Sequence, residues 1–273
     1  MIITRLISGL GNQLFQYALG RRIADFHQTP LKLDLTWFEE LNFPKYMLGR
    51  FMIDEKIAVT EEIEMAKAAC HFREDNFRFE PGFLKTPPLA YLDGYWQSER
   101  YFREIEGVLR KEFTLKKPPS PANRRMEEKI LSCEAVSVHI RRGDYLTSPI
   151  HQVCTLDYYD NCIKIITSMI PKPHFFVFSD DWSWAEQNFK PARGGAPYPV
   201  TMVALNPIEE GQEDLRLMSL CRYHIIANST FSWWGAWLSN YRRKIVCAPN
   251  QWLNSDQYDT SYIIPETWYP ITT

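Results

Sequence analysis

The sequence of 273 residues has few of the features that mark metal sites, membrane spans or nucleic-acid binders. Its six cysteines form no Cys-x-x-Cys pair, no Asp-x-Asp motif occurs, and the histidines are dispersed, so no obligatory metal is expected. No stretch approaches the roughly 18–20 apolar residues of a membrane helix, and the short apolar N-terminus lacks a cleavage-like end. We therefore expect no anchor, no signal peptide and a cytoplasmic protein with reduced thiols.

The charge balance is close to neutral. Lys+Arg 31 against Asp+Glu 33 gives a net charge of −2, without the basic excess of a nucleic-acid binder. A small anionic ligand remains compatible, because it needs only a local positive site. Hydrophobic residues at 45% and charged residues at 23% are typical of globular proteins, and the length suits two modest domains or one large one.

The first 35 residues predict a strand, a glycine turn, a helix and a second strand, which begins an α/β sheet. The strands are predicted at Ile2–Ser8 and Leu31–Leu35. The middle of the chain has a weaker pattern, with helices predicted at Glu61–Ala69 and Ser98–Phe113. The proline-rich segment 116–121 is the best candidate for a linker, because clustered prolines disfavour both helix and central strand.

Beyond the linker, apolar strands alternate with helices, which predicts a doubly wound parallel sheet. The predicted strands are Ala135–Arg141, His174–Ser179, Val200–Leu205, His224–Ala227 and Lys244–Ala248. The predicted helices are Leu156–Ile170, Asp181–Phe189, Gln212–Arg222 and Phe231–Asn240, with a Gly/Pro loop at Pro191–Pro199. We expect an N-terminal lobe at 1–117, a C-terminal lobe at 122–250, and a tail at 251–273 that packs back on the N-terminal lobe.

Two adjacent arginines, Arg141 and Arg142, stand at the end of the predicted strand Ala135–Arg141, and ligands of open parallel sheets bind beyond the carboxyl ends of strands. Period-two geometry places His139 and Arg141 on one face of the strand. Adjacent guanidinium groups at a buried strand end need a compensating anion, and a diphosphate suits the planar fork of arginine. The alternative is an internal ion pair. We expect both, with Arg142 holding Asp144 and Arg141 contacting the ligand.

Two further loops carry polar residues at predicted helix starts. Asn228-Ser-Thr-Phe231 opens one helix, whose free N–H groups could bind phosphate or could simply be capped. Asp214 opens another, where a carboxylate either complements the helix dipole or accepts the two N–H groups of a guanine edge. The adjacent aspartates Asp180 and Asp181 could hold Mg²⁺, but Asp181 also suits the cap of the helix that follows.

The N-terminal turn Gly9–Gln13 partly matches a dinucleotide-binding fingerprint, with Asp34 at a suitable distance. Leu14 occupies the third glycine position of that fingerprint, which weakens the NAD interpretation. Gly11 lies in the turn, and Asn12 places an amide there that suits sugar hydroxyls or phosphate. An NAD-dependent sugar-nucleotide reductase stays open as an alternative at this point.

The chain is rich in tryptophan, with nine residues in all. A sugar-binding protein without catalysis is a third possibility for such a composition. The cluster Trp233, Trp234 and Trp237 favours a core or domain interface over a stacking platform for sugars.

Four ordered motifs resemble the α-1,2-fucosyltransferases. The block from Val138 to Tyr145 (VHIRRGDY) is shared with α-1,6- and protein O-fucosyltransferases, whereas the block from Asn228 to Gly235 (NSTFSWWG) is more particular to the α-1,2 group. The other two are the run from Gly9 to Tyr17 (GLGNQLFQY) and the run from Phe178 to Asp181 (FSDD).

This resemblance implies a GT-B-like α/β fold with two Rossmann-like lobes, mainly parallel sheets and a central cleft. It implies metal-independent, inverting transfer of fucose from GDP-β-L-fucose to the 2-hydroxyl of a terminal β-galactoside. By the same resemblance Arg141 would bind the β-phosphate, Asp214 the guanine, and Ser229 and Thr230 the diphosphate, while His139 would border the base. The C-terminal lobe would bind GDP-fucose, and Asn12 would face the donor sugar or the acceptor from the N-terminal, acceptor-side lobe. The implied donor-binding residues are Gly11, Asn12, His139, Arg141, Asp214, Asn228, Ser229, Thr230 and Phe231.

The resemblance also implies a bacterial-type enzyme of oligosaccharide or O-antigen synthesis. A lipid-linked acceptor would then bring peripheral association with a membrane. Inversion favours a carboxylate that takes the proton of the acceptor hydroxyl. Asp144 is the candidate for that base, although pairing with Arg142 would lower its pKa. A fucosyltransferase of different linkage is a further alternative.

Overall fold

The structure is a computed structural model that describes residues 1–39, 45–151, 153–255 and 257–273. The chain divides into two compact units. The first contains Met1–Pro118 and Asp256–Pro265, and the second contains Pro119–Ser255 and Glu266–Thr273. Both units are α/β, and each is built on a parallel sheet.

The N-terminal unit has a four-stranded parallel sheet in the order β2-β1-β4-β3. Its strands are β1 (Ile2–Arg5), β2 (Leu31–Asp34), β3 (His71–Arg73) and β4 (Ala90–Asp93). Its helices are α1 (Leu10–Phe26), α2 (Thr36–Glu39), α3 (Thr60–Ala69) and α4 (Glu106–Glu112). Helix α1 starts four residues earlier than the apolar spacing from Leu14 suggested, because Gly9 is already its N-cap.

The C-terminal unit has a six-stranded parallel sheet in the order β12-β11-β10-β5-β6-β9. The strands of this sheet are β5 (Glu134–Ile140), β6 (Pro173–Ser179), β9 (Val200–Met202), β10 (Tyr223–Ile225), β11 (Val246–Pro249) and β12 (Tyr269–Ile271). The strands β7 (Ala192–Arg193) and β8 (Ala196–Pro197) form a separate two-stranded sheet. The helices of this unit are α5 (Pro121–Leu131), α6 (Leu156–Met169), α7 (Trp182–Asn188), α8 (Gly211–Leu220) and α9 (Thr230–Leu238). The predicted alternation of strands and helices is confirmed.

Strands β5 and β6 are neighbours and the longest strands of the six-stranded sheet, and they are buried along most of their length. Continuous apolar runs suit strands that helices cover on both faces. Helix α9 is nearly all buried, and Trp233, Trp234 and Trp237 lie in its core-facing positions. The prediction that these tryptophans form core is confirmed. All six cysteines are free thiols, and four of them are buried.

The helix predicted at Ser98–Phe113 is wrong over its first half. The structure has two 3-10 turns, Glu99–Tyr101 and Arg103–Ile105, before α4 begins. Tyr101 and Phe102 are consecutive and both fully buried, whereas a regular helix buries one stripe of its surface. The break lets both aromatic rings enter the core.

The loop predicted at Pro191–Pro199 contains a small antiparallel hairpin of β7 and β8. Gly194 and Gly195 connect its strands, and both have positive φ angles of 56° and 83°. Two successive residues with φ above zero are what the tight type I′ hairpin turn requires, which explains the glycine pair.

The tail at 251–273 is divided between the two units. Tyr258 and Tyr262 contact aromatic residues of the N-terminal unit, with ring centroids of Phe77 and Tyr258 5.1 Å apart. Strand β12 instead pairs in parallel with β11 in the C-terminal unit. Within the described ranges, no helix combines the length and the apolar composition that crossing a membrane takes.

Candidate functional site

Arg141 follows the last residue of β5 and is held by two carboxylates. Its Nη2 lies 2.7 Å from Asp144 Oδ1, and its Nη1 lies 3.2 Å from Asp180 Oδ2. The guanidinium also lies over the ring of Tyr145, 5.4 Å from its centroid. The side chain of Asp144 is 67% exposed, whereas the side chain of Asp180 is 20% exposed. An anion from solution can therefore replace Asp144 at the outer edge of Arg141 while Asp180 keeps the inner edge fixed.

The predicted pairing of Asp144 with Arg142 is wrong. Arg142 Nε instead donates to Asp181 Oδ2 at 3.1 Å, and its guanidinium stacks 4.0 Å from the ring centroid of Trp184. The chain turns sharply at Gly143, so Asp144 lies beside Arg141 and not beside Arg142. Asp181 also accepts the N–H of Trp184 and thereby caps α7, as predicted.

Asp180 has a second role at this turn. Its Oδ1 accepts the backbone N–H of Arg142 at 2.9 Å. A methyl group at Gly143 would lie 2.6 Å from Asp180 Oδ2, so a larger residue there would push the Asp180 carboxylate away from its present position. β5 and β6 are hydrogen-bonded neighbours with Ile140 opposite Ser179, which explains why residues after these strands meet. Sequence reasoning missed this contact, although the two strand ends were both identified.

The N-terminus of α9 lies at the neighbouring strand end, because β10 pairs with β5 on its other side. Ser229 is the N-cap residue, but its side chain makes no capping hydrogen bond. The first N–H groups of the helix have no acceptor within it, so they and the helix dipole favour an anion here. Tyr145 donates its hydroxyl hydrogen bond to the carbonyl of Asn228 at 3.1 Å and connects this loop with the Arg141 loop.

The predicted residues of this loop divide into internal and outward-facing groups. The side chain of Asn228 is buried and donates to the carbonyl of Trp252 at 3.0 Å, so it holds the loop in place. Ser229 is also buried, whereas Thr230 and Phe231 are half-buried. The outward-facing candidates for ligand contact are therefore Thr230, Phe231 and the backbone of the first turn.

His139 lies beneath this turn and is neutral. Burial, followed by the charge of Arg141, lowers the pKa of His139 to about 3. Its Nδ1 shares a hydrogen bond with Ser232 Oγ at 2.9 Å. The ring of Phe231 lies 5.8 Å from the His139 ring, and a methyl group at Gly211 would lie 3.7 Å from Phe231. The starts of α8 and α9 therefore converge around Phe231.

Asp214 stands in the first turn of α8, three residues after Gly211. Asn206 donates its amide to Asp214 Oδ1 at 2.7 Å and also bonds reciprocally with Asn123. Burial raises the pKa of Asp214 to about 6. Oδ2 has no partner in the described part of the chain, so one carboxylate edge remains for a hydrogen-bond donor.

The N-terminal turn belongs to the other compact unit, and its contacts are described within that unit. Gly11 is buried in the first turn of α1. Asn12 donates to Ser8 Oγ and accepts from Gln97 Nε2, both at 2.9 Å. The amide of Asn12 thus joins the ends of β1 and β4. Asn12 is half-buried, and Gln97 is a contact that sequence reasoning missed.

Asp34 is not available for a ribose. It is 2% exposed, its Oδ2 accepts the Tyr91 hydroxyl at 2.6 Å, and its Oδ1 accepts the N–H of Thr36 at 2.9 Å. Leu14, at the third fingerprint position, is completely buried. These contacts do not support the reductase alternative. Among the residues described, no group of three or more His, Cys, Asp or Glu side chains is arranged to hold a metal ion.

Comparison with known sequences gives matches over the whole chain. The family model described as Glycosyl transferase family 11 matches residues 1–271. An alpha-1,2-colitosyltransferase of Escherichia coli is 33% identical over 297 residues, covering 99% of both chains. A galactoside 2-alpha-L-fucosyltransferase of Caenorhabditis elegans is 25% identical over 97% of this chain and 76% of its own length.

Comparison with solved structures supports the fold. A mutant of Arabidopsis thaliana FUT1 in complex with GDP aligns with a TM-score of 0.55 at 12% identity, over 98% of this chain and 75% of that chain. POFUT1 in complex with GDP aligns with a TM-score of 0.51 at 13% identity, over 90% and 97% of the two chains. The likeness to these fucosyltransferases shows the predicted GT-B-like α/β fold.

Proposed function

The chain belongs to glycosyltransferase family 11, and on this basis we propose that it transfers L-fucose from GDP-β-L-fucose to the 2-hydroxyl of a terminal β-galactoside. The transfer inverts the anomeric carbon and needs no metal. The observation that supports this most strongly is the position of Arg141 at the end of β5, beside the N-terminus of α9 on the neighbouring strand.

Arg141 and α9 suit a diphosphate leaving group. When the bond between fucosyl C1 and the β-phosphate oxygen breaks, negative charge grows on GDP. A planar guanidinium can donate two parallel hydrogen bonds to the phosphate oxygens, and the N–H groups at Thr230 and Phe231 add fixed dipoles. Such preorganised donors stabilise developing charge without reorganisation and can replace a metal in this role.

The residues at the starts of α8 and α9 have the chemistry to bind the guanine base. The free edge of Asp214 can accept the N1–H and the amino group of the base, a pattern that adenine does not offer. Phe231 offers an apolar ring, and neutral His139 borders it without adding charge. A carboxylate acceptor that would be left unpaired by the wrong base gives strong discrimination.

The acceptor hydroxyl attacks C1 from the side opposite to GDP, forming the new C1–O bond as the C1–phosphate bond breaks. Its proton passes to a carboxylate or to water. Asp144 stays a candidate for that base. Its ion-pair partner is Arg141 and not the predicted Arg142, so the base candidate contacts the same guanidinium that we assign to the diphosphate.

A second donor is favoured by one observation. The relative that matches this chain over 99% of both lengths is named as a colitosyltransferase. Transfer of colitose with the same 1,2 linkage is therefore the competing proposal. Its acceptor would also be a glycan, since another relative, with 40% identity over half of this chain, is named as an O-antigen biosynthesis glycosyltransferase from Escherichia coli.

The deciding experiment gives the purified protein GDP-fucose and a colitosyl donor in parallel with a panel of β-galactosides, in the presence of EDTA. Linkage analysis of the product by NMR should show an α-1,2-fucoside. Turnover of the colitosyl donor alone would transfer the assignment to colitose. A different linkage, or turnover that EDTA abolishes, would contradict the proposal.

Asp214→Asn is expected to weaken GDP binding about 10- to 100-fold, because hydrogen bonds to a charged group contribute roughly 1.5–3 kcal/mol. The preference for GDP over ADP should be lost with it. Burial raises the pKa of Asp214 to about 6. The ionised form accepts the guanine N–H groups, so the wild-type preference for GDP should fall as the pH is lowered through 6. Calorimetric titration at several pH values measures both effects.

The matched control for this variant is Asp157→Asn. Asp157 also lies in the first turn of a helix, α6, but it is exposed. We expect this control to bind GDP as the wild type does. An unchanged GDP-to-ADP ratio in Asp214→Asn would show that the carboxylate acts only on the helix dipole.

Asp144→Asn is expected to tighten GDP binding about two- to fivefold. Exposed ion pairs contribute roughly 0.2–1 kcal/mol, and the pair with Asp144 must break before phosphate reaches Arg141. If Asp144 serves only as the partner of Arg141, the turnover number stays within about threefold of the wild type. Steady-state kinetics with varied donor measures both values. A loss of kcat of about 10²-fold or more would contradict this and assign Asp144 as the base.

A further inference from the structure

The carboxyl edge of the N-terminal sheet carries a second group of polar side chains. Strands β3 and β4 end side by side, with Arg73 opposite Asp93, so Glu74 lies next to Gly94. A methyl group at Gly94 would lie 2.4 Å from Glu74 Cβ, so only glycine permits this approach. Glu74 therefore lies directly against the turn that follows β4.

The Glu74 carboxylate is held by backbone donors and not by a cation. Its Oε2 accepts the N–H of Tyr95 at 2.6 Å, and its Oε1 accepts the N–H of Trp96 at 3.1 Å. In the described ranges it takes part in no ion pair. The basic side chains nearby go to Asp93 instead; they are Arg5, His71 and Arg73. Burial raises the pKa of Glu74 to about 7.

The backbone at this edge is strained. Ser8 follows β1 with φ 66°, and Trp96 follows β4 with φ 58°, although neither is glycine. β1 and β4 are neighbours in the sheet, and the hydrogen bond between Asn12 and Gln97 joins the two turns. Left-handed non-glycine residues persist only where surrounding contacts impose them, and they concentrate at functional sites.

We propose that this edge binds the acceptor sugar, with Glu74 accepting hydrogen bonds from its hydroxyls and Asn12, Gln97 and Tyr95 lining the same site. The proposal rests on the proposed function, in which the acceptor is a β-galactoside. Carboxylate and amide groups suit hydroxyl pairs, because they combine planar acceptors and donors at fixed spacing. Open parallel sheets bind ligands at this edge.

If Glu74 has a purely structural role, a different result is expected for the variant Glu74→Gln. Glu74→Gln keeps one oxygen that can accept the N–H groups of Tyr95 and Trp96, since Oε2 alone already lies 2.6 Å and 3.2 Å from them. The variant loses the charge and one acceptor atom. If Glu74 only holds the turn, the variant should behave as the wild type toward the acceptor.

The experiment compares Glu74→Gln with Glu80→Gln, an exposed carboxylate of the same unit that also accepts a backbone N–H, from Gly82. We expect Glu74→Gln to raise the KM for the β-galactoside at least tenfold while GDP affinity stays within twofold. The control should change neither. An unchanged acceptor KM in Glu74→Gln would overturn the proposal.

Direct binding separates this proposal from the assignment of the donor. Saturation-transfer NMR with methyl β-galactoside and the wild-type protein, without donor, should show contact that Glu74→Gln loses. That result would stand even if GDP-fucose were not turned over. Equal signals in the two proteins would overturn the site.

A second variant covers the case in which Glu74→Gln lowers the melting temperature. Tyr95→Phe removes one hydroxyl for which the described residues offer no hydrogen-bond partner, and it keeps the stacking of this ring on Phe77. We expect a three- to tenfold increase in acceptor KM at unchanged melting temperature. An acceptor KM equal to that of the wild type would count against the site.

Discussion

Replacement of Arg141 by lysine is expected to lower kcat for sugar transfer by about 10²–10³-fold, the usual loss when one preorganised donor to a developing charge is removed. Lysine keeps the positive charge but is a point donor, so it cannot bond two phosphate oxygens in parallel as the guanidinium fork does. It also cannot bridge Asp144 and Asp180 in the free protein. GDP affinity should fall along with kcat, and steady-state kinetics with calorimetry measures both.

Arg222→Lys is the matched control for that change. Arg222 also combines an ion pair, with Glu134, and a position over an aromatic ring, that of Tyr241. It lies beside the first residue of β5, whereas Arg141 follows the last, so it can affect the fold but not the diphosphate. Full activity and full GDP affinity in Arg141→Lys would show that Arg141 serves only its two aspartates.

Trp233→Ala is expected to lower the free energy of unfolding by about 3–5 kcal/mol, the range for truncating a buried aromatic side chain to alanine. Trp233 is completely buried, and its ring contacts three other tryptophans, Trp234, Trp237 and Trp268, at centroid distances of 5.1, 6.2 and 5.4 Å. Removal of the indole leaves a cavity among the three remaining tryptophans. Chemical denaturation followed by circular dichroism measures the loss.

Trp182→Ala provides the comparison, because Trp182 is only half-buried at the start of α7. Trp182→Ala should therefore lower the free energy of unfolding clearly less than Trp233→Ala does. If Trp233→Ala kept its stability but lost sugar binding, the tryptophan cluster would be a stacking platform and not a core.

Much of the C-terminal unit could be predicted from sequence, since its strands are long apolar runs between helices with clear starts. Strand β5 and helices α8 and α9 lie within a few residues of their predicted limits. The prediction of a helix at Ser98–Phe113 was wrong over its first half, because the local spacing of apolar residues does not show that Tyr101 and Phe102 are both buried in the core. That outcome depends on tertiary packing, which outweighs helix propensity.

In the candidate site, too, some residues could be predicted from the sequence and others could not. Arg141 could be located because a strand end, two arginines and a following glycine are visible in the sequence. The partner of Asp144 could not, because the direction of the chain after Gly143 depends on Asp180 from a neighbouring strand. Glu74 was missed since β3 has only three residues and an exposed, half-buried, exposed pattern, which gives no apolar signal.

The division of the tail has a practical consequence for exchanging parts between related enzymes. The chain passes from one unit to the other after Pro118, returns for Asp256–Pro265, and leaves again at Glu266. In this chain Phe77 contacts Tyr258 and Phe79 contacts Tyr262. A chimera that takes only residues 1–118 from a relative would keep Tyr258 and Tyr262 of this chain but place foreign side chains at positions 77 and 79. A transplant of the complete N-terminal unit therefore has to carry two separate pieces of sequence.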